Sequence, residues 1–214
     1  MLKKSLNVIF ISFLMFDKNI NKVLSSPNRM VWQYFDALRR LCYRVATNKN
    51  KEEILQDTVL CVILAVTGVE VFLNIYFHIM INEEPYKHAK EQILSDLMRQ
   101  VSLDKKLKEW PQKVLGKKIQ LNYGIGLEFT NLKKLRNKLV HFSSSYETFT
   151  SSSITIIGLP DTTIYDSLDA NSALKALDTA EQLICEIFRL QGTEEADICR
   201  ALHLWTGKVP TYSK

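Results

Sequence analysis

The residues best suited to chemistry lie in one short segment: Leu132-Lys133-Lys134-Leu135-Arg136-Asn137-Lys138-Leu139-Val140-His141-Phe142. Asn137 and His141 are four apart, so a helix stacks them on one face. Arg136 adjoins Asn137 and stands roughly 140° round the helix from His141. Leu132, Leu135 and Leu139 hold the other side. A guanidinium, an amide and an imidazole are thereby offered to one ligand. Such a set can cleave RNA. A base takes the proton of a ribose 2′-OH, which attacks the adjacent phosphorus. An acid protonates the departing 5′-oxygen, and a cation stabilises the charge growing on the phosphoryl oxygens. Imidazole carries protons near neutral pH, which points to His141. Guanidinium clamps phosphate, which points to Arg136. The reaction needs two proton carriers, and a two-fold dimer that pairs two such helices supplies the second. The competing structural reading pairs Arg136 with a carboxylate such as Glu70 and leaves His141 to cap a helix end.

The charge around this segment is uneven. Between Lys87 and Val140 there are thirteen Lys or Arg and five Asp or Glu, a local net of about +8. Between Asp161 and Arg200 there are nine acidic and three basic residues, a net of −6. A basic field suits a phosphate backbone. Lys133, Lys134 and Lys138 flank the candidate catalytic residues and are the natural substrate-binding lysines. Charge runs are also commonly no more than solvated faces.

The elements that must position these groups read as helices. Periodicity predicts helices over Met30 to Thr47, about Glu52 to Asn82, Tyr86 to about Leu107, from near Leu127 to before Ser143, Asp169 to Leu190, and Glu194 to Trp205. Trp110-Pro111 reads as a break, and Lys113 to Tyr123 as a loop. Ile154 to Gly158 reads as a short strand in a loop or hairpin, with the N-terminal run as one conceivable partner. The second helix is apolar nearly all round. Its exception is a stripe of Glu70, Asn74 and His78 at i, i+4 and i+8, facing a site or an interface. The expected architecture is all-α: about four core helices in one domain over 30–205, with a loop insertion at about 143–166. A hydrophobic arm (1–29) precedes it and a loosely held tail (206–214) follows.

With 214 residues, the chain can bury a proper core. The four cysteines lack CxxC spacing, which argues for reduced thiols, a cytoplasmic location and no thiolate zinc site. The four histidines form no HExxH pattern, so neither a catalytic metal nor another cofactor is expected. Gly116, Gly124 and Gly126 lack the Lys-Ser/Thr ending of a phosphate-binding loop. No nucleophile elbow is present. Lys3 and Lys4 precede an apolar run, Leu6 to Phe16, as in a signal peptide. That run is too short to span a bilayer, and Asp17, Lys18 and Asn19 follow it rather than a small-x-small site. Leu55 to Ile81 is long enough to span, but its polar stripe argues against lipid. No membrane span is therefore expected.

The segment Arg136-Asn137-Lys138-Leu139-Val140-His141 resembles the signature of the HEPN superfamily (higher eukaryotes and prokaryotes nucleotide-binding). That signature is an Arg, often followed by Asn, then four to six residues before a His. Ala65 to Asn74 is similar to the long helix that precedes it in many members, and the likeness runs from about Val31 to Leu190. The resemblance implies an all-α bundle that dimerises through the motif helices. It also implies a metal-independent endoribonuclease of toxin or phage-defence type, acting on RNA. On this chain Arg136 is then the phosphate group, His141 the acid-base group and Asn137 a polar orienter. Glu70 and Asn74 are candidate supports of Arg136, and an antitoxin or other regulatory protein is a natural partner. One toxin branch carries a Tyr two residues after the His. Here Ser143 stands in that place, so inactivation by nucleotide transfer to that Tyr is not expected. Some members are inactive scaffolds or RNA binders, which makes a non-catalytic interaction module the alternative.

Overall fold

The computed structural model describes residues 26–141, 146–150, 154–160 and 162–209. The apolar run Leu6 to Phe16 lies outside them. Among the described residues the chain is a bundle of eight α-helices with one two-stranded hairpin. The helices are α1 (Arg29–Thr47), α2 (Lys51–Met80), α3 (Lys90–Met98), α4 (Leu103–Leu115), α5 (Gly124–Val140), α6 (Thr163–Asp166), α7 (Ala170–Gln191) and α8 (Glu195–Thr206). Between α5 and α6, strand β1 (Tyr146–Thr150) pairs antiparallel with β2 (Thr155–Pro160). The partner of the 154–158 strand is thus its sequence neighbour.

Helix α2 is the axis. It packs against α1, α3, α4, α5, α6 and α7. It is long and apolar enough to cross a membrane by length and composition, and half of its most apolar window is buried inside the bundle. Asn50 starts it by accepting the Glu52 N–H, and Glu52 and Glu53 complement the helix dipole. Phe72 and Tyr76 stack at 4.9 Å between ring centroids. Phe188 of α7 and Trp205 of α8 meet Phe72 edge-on at 5.7 and 5.2 Å. Phe77 meets Trp110 of α4 at 5.9 Å. One ladder of rings on α2 therefore fastens three other helices, a geometry favoured by the ring quadrupoles.

The region after α2 departs from its periodicity. The single helix expected over Tyr86 to Leu107 is three pieces: a 3-10 helix at Glu84–Ala89, then α3, then α4. Pro85 lies in the first turn of the 3-10 helix, where its missing N–H costs nothing. Gln100 takes a positive φ of 50°, which ends α3, and Ser102 caps α4 by accepting the Lys105 N–H. The break expected at Trp110-Pro111 is absent, because α4 runs through it to Leu115. Trp110 is fully buried and donates its indole N–H to Asp96 at 3.0 Å. That anchor holds α4 across Pro111 despite the lost backbone hydrogen bond.

Both ends of the described chain are bolted in. Asn28 is buried and donates to the Leu204 carbonyl. Glu181 of α7 is buried and takes Arg39 at 2.9 Å and Lys208 at 2.6 Å. Of the expected tail (206–214), residues 206–209 are described, and this ion pair holds Lys208 to α7.

Asp96 is the most enclosed carboxylate on the α3–α4 seam. Burial opposes its ionisation, yet hydrogen bonds from Lys105, Trp110 and Gln92 prevail and hold it below the ordinary aspartate value of 3.8. A depressed carboxylate contributes stability that is complete above the unfolded value and is lost as pH falls through the lower folded value. Asp96→Asn should therefore destabilise the fold by about 2 kcal/mol at neutral pH. The gap to wild type should narrow in acid, below the ordinary aspartate range. Urea unfolding across pH checks this, and a gap that is constant down to strong acid would contradict it.

Candidate functional site at the C-terminal end of α5

Helix α5 begins under a close crossing of backbone. A Cβ on Gly126 would run into the Gln120 carbonyl, so only glycine allows the 119–123 loop to lie against the first turn. Phe129 and Leu132 are buried and seat the helix against α2 and α7. The opposite side shows Leu127, Asn131, Lys134 and Lys138, all exposed, at i, i+4, i+7 and i+11.

Arg136 belongs to the inward side. It follows Leu132 by four and Phe129 by seven, and it is half-buried. Its Nε is enclosed without a hydrogen-bond partner, and its guanidinium has no ion pair among the described residues. Asn137 is exposed. His141 is exposed and caps the helix: its N–H donates to the Asn137 carbonyl at 2.8 Å while its own backbone turns extended (φ −113°, ψ 93°). No hydrogen bond joins the side chains of Arg136, Asn137 and His141 within one chain. One chain thus offers an inward cation and an outward imidazole at the same helix end, as the 140° offset requires.

The candidate supports separate. Glu70 gives its carboxylate to Lys106 of α4 at 2.6 Å, not to Arg136. Lys106 is itself buried, with its ammonium 5.7 Å from the centroid of the Trp110 ring. Asn74, one turn on from Glu70, has its Oδ1 enclosed and without a partner. His78, the last member of the stripe, is exposed. The two enclosed polar atoms without partners among the described residues therefore sit on α2 and α5, helices that pack together.

Lys133 differs from its neighbours. It is buried and ion-paired to Asp104, which removes it from the set of lysines open to a substrate. Its side chain is placed there because residue 133 adjoins the seated face of Leu132. Lys134 and Lys138 stay exposed and make no ion pair among the described residues. Across the basic stretch, Arg99, Lys108, Lys117, Lys118, Lys134, Arg136 and Lys138 have none, so the field survives the internal pairing.

The residues missed in the sequence are Asp104 and Lys106. With Lys105 they form one consecutive charged triplet that reads as part of a solvated run. In the fold Asp104 holds α5 through Lys133, Lys105 holds α3 through Asp96, and Lys106 holds α2 through Glu70. No group of three or more His, Cys, Asp or Glu able to hold a metal occurs among the described residues. A cavity of about 370 Å³ lies at the α1–α2 turn, lined by Arg44, Thr47, Asn48, Glu53, Gln56 and Asp57. Arg44 and Asp57 are ion-paired there, and no residue of the Arg136 segment reaches it. Compared with family models, curated proteins and solved structures, the chain gives no match.

This pairing scheme predicts a specific pattern of coupling. A double-mutant cycle on Glu70→Gln and Lys106→Met should show a coupling of about 1 kcal/mol in urea unfolding. The same cycle on Glu70→Gln and Arg136→Gln should be additive within about 0.5 kcal/mol. Strong Glu70–Arg136 coupling would restore the reading in which Arg136 is a structural ion-pair partner.

Proposed function

We propose that this chain is a HEPN-like, metal-independent endoribonuclease of toxin or phage-defence type that works in the cytoplasm as a homodimer. Paired α5 helices bring an Arg136 and a His141 from each protomer to one cleft at the two-fold. His141 of one protomer removes the 2′-OH proton and the second His141 protonates the leaving 5′-oxygen. Arg136 binds the phosphate and offsets the charge that develops on it. Asn137 orients the substrate or the imidazole, Lys134 and Lys138 hold the flanking backbone, and Asn74 supports Arg136. No cofactor enters the scheme.

One observation carries the reading. Arg136 is a half-buried guanidinium with an enclosed Nε and no ion pair among the described residues, on the same helix end as an exposed histidine. An enclosed guanidinium N–H left without an acceptor is costly unless a ligand supplies the partner. The carboxylate that would have explained it structurally, Glu70, is taken by Lys106.

A second reading draws on the same enclosure. A guanidinium held between helices and aimed away from His141 also suits a static role in a non-catalytic RNA- or protein-binding module. The two readings part in one assay: RNA incubated with purified protein in EDTA, wild type beside His141→Ala and Arg136→Ala, with folding and dimerisation checked. The endonuclease reading expects cleavage by wild type and a loss of at least about 100-fold in each variant. Tight binding without cleavage by wild type would establish the module instead. Equal cleavage by all three would place the activity elsewhere.

A further inference from the structure

Cys42 of α1 and Cys61 of α2 are buried and face each other with their sulfurs 3.7 Å apart. Each is carried by a long helix, and the two helices pack against each other on either side of the short turn that joins them. Cys42 continues the buried series Val31, Phe35 and Leu38, ahead of Val45. Cys61 sits beside the buried Val62 and Ala65. The distance between the sulfurs is thus set by two fixed backbones. A disulfide needs about 2.05 Å, so ~1.7 Å of approach is required. The hydrogen bond between the thiols sets their roles. It holds Cys42 below the ordinary thiol range and pushes Cys61 above it. Of the two, Cys42 is the sulfur favoured to ionise first. The other thiols differ: Cys199 is exposed, and burial pushes Cys185 up to about 11.

We propose that Cys42 and Cys61 form an oxidative modification site, converted by a hydroperoxide into an intramolecular disulfide that staples α1 to α2. The Cys42 thiolate attacks one peroxide oxygen, the O–O bond breaks, and hydroxide leaves, giving a sulfenic acid. The Cys61 sulfur then displaces the sulfenic hydroxyl. The S–S bond forms as the S–O bond breaks, and the Cys61 proton leaves with the hydroxyl as water. In total two thiols and one hydrogen peroxide give a disulfide and two waters, with the sulfurs oxidised and the peroxide reduced. Hydrogen peroxide is small and uncharged, so it suits a buried pair that a bulky oxidant cannot reach. The cross-link closes the loop from residue 42 to residue 61, which limits the unfolded chain and stabilises the α1–α2 hairpin.

The test uses the reduced full chain exposed to hydrogen peroxide, then alkylated in denaturant and mapped by mass spectrometry. The expected result is a linked Cys42–Cys61 peptide lighter by two hydrogens, with a melting temperature raised by about 5 °C. Dithiothreitol should reverse both. Cys199→Ser should keep the link and the shift. Cys42→Ser should lose both, with Cys61→Ser as the alternate variant if the first misfolds. Recovery of Cys42 and Cys61 as alkylated thiols from peroxide-treated wild type would overturn the proposal. So would over-oxidation of Cys42 without a link, or a link made instead to Cys185 or Cys199.

Discussion

Three consecutive side chains at the start of α4 set the arrangement on which the rest of the molecule depends. Successive residues of a helix point about 100° apart, so adjacent side chains can reach three different neighbours. Asp104 takes Lys133 of α5, Lys105 takes Asp96 on α3, and Lys106 takes Glu70 on α2. One member of each pair is buried: Lys133, Asp96 and Lys106. A buried charge must have its partner, so these pairings are hard to exchange for others. Trp110, one turn on from Lys106, packs on Phe77 and donates to Asp96, which ties the charged seam to the aromatic ladder of α2.

This scheme has a consequence for the candidate site. Glu70 and Asp104 are used by lysines, and Arg136 is left with no carboxylate among the described residues. An enclosed Nε on Arg136 and an enclosed Oδ1 on Asn74 are the kind of unsatisfied atoms that a fold rarely keeps without a use. They lie on packed helices whose other polar groups are paired or solvated. A fold optimised only for stability would have placed an acid opposite Arg136, and local inconsistencies of this sort gather where a ligand supplies the missing partner. His141 completes the picture from the other direction. The helix stops at Val140, and the chain turns extended at the residue whose imidazole is in solvent.

Much of this was legible in the sequence because it is local. The apolar series of α1 (Val31, Phe35, Leu38, Cys42, Val45) marks its buried face directly. The near-continuous apolar character of α2 marks a central helix. The spacing of Arg136, Asn137 and His141 gives their relative directions before any coordinates. What was not legible depends on distant parts of the chain. Trp110 carries α4 through Pro111 only because Asp96 waits on another element. The positive φ at Gln100 has no glycine or asparagine to announce it. Lys133 looks like its exposed neighbours Lys134 and Lys138, and only its place beside Leu132 and the reach of Asp104 make it structural. Glu70 could have served Arg136 or Lys106, and periodicity cannot choose between them.

The central claim is that Arg136, without an ion pair among the described residues, and an exposed His141 act on a ribose-linked phosphate. The ends of the cleaved RNA test it most directly. Attack by the 2′-oxygen leaves a 2′,3′-cyclic phosphate on the upstream fragment and a 5′-hydroxyl on the downstream one. The account predicts those ends, and predicts that a single 2′-deoxy nucleotide at the scissile position blocks cleavage there. Fragments ending in a 5′-phosphate and a 3′-hydroxyl, or undiminished cleavage at the deoxy position, would contradict it.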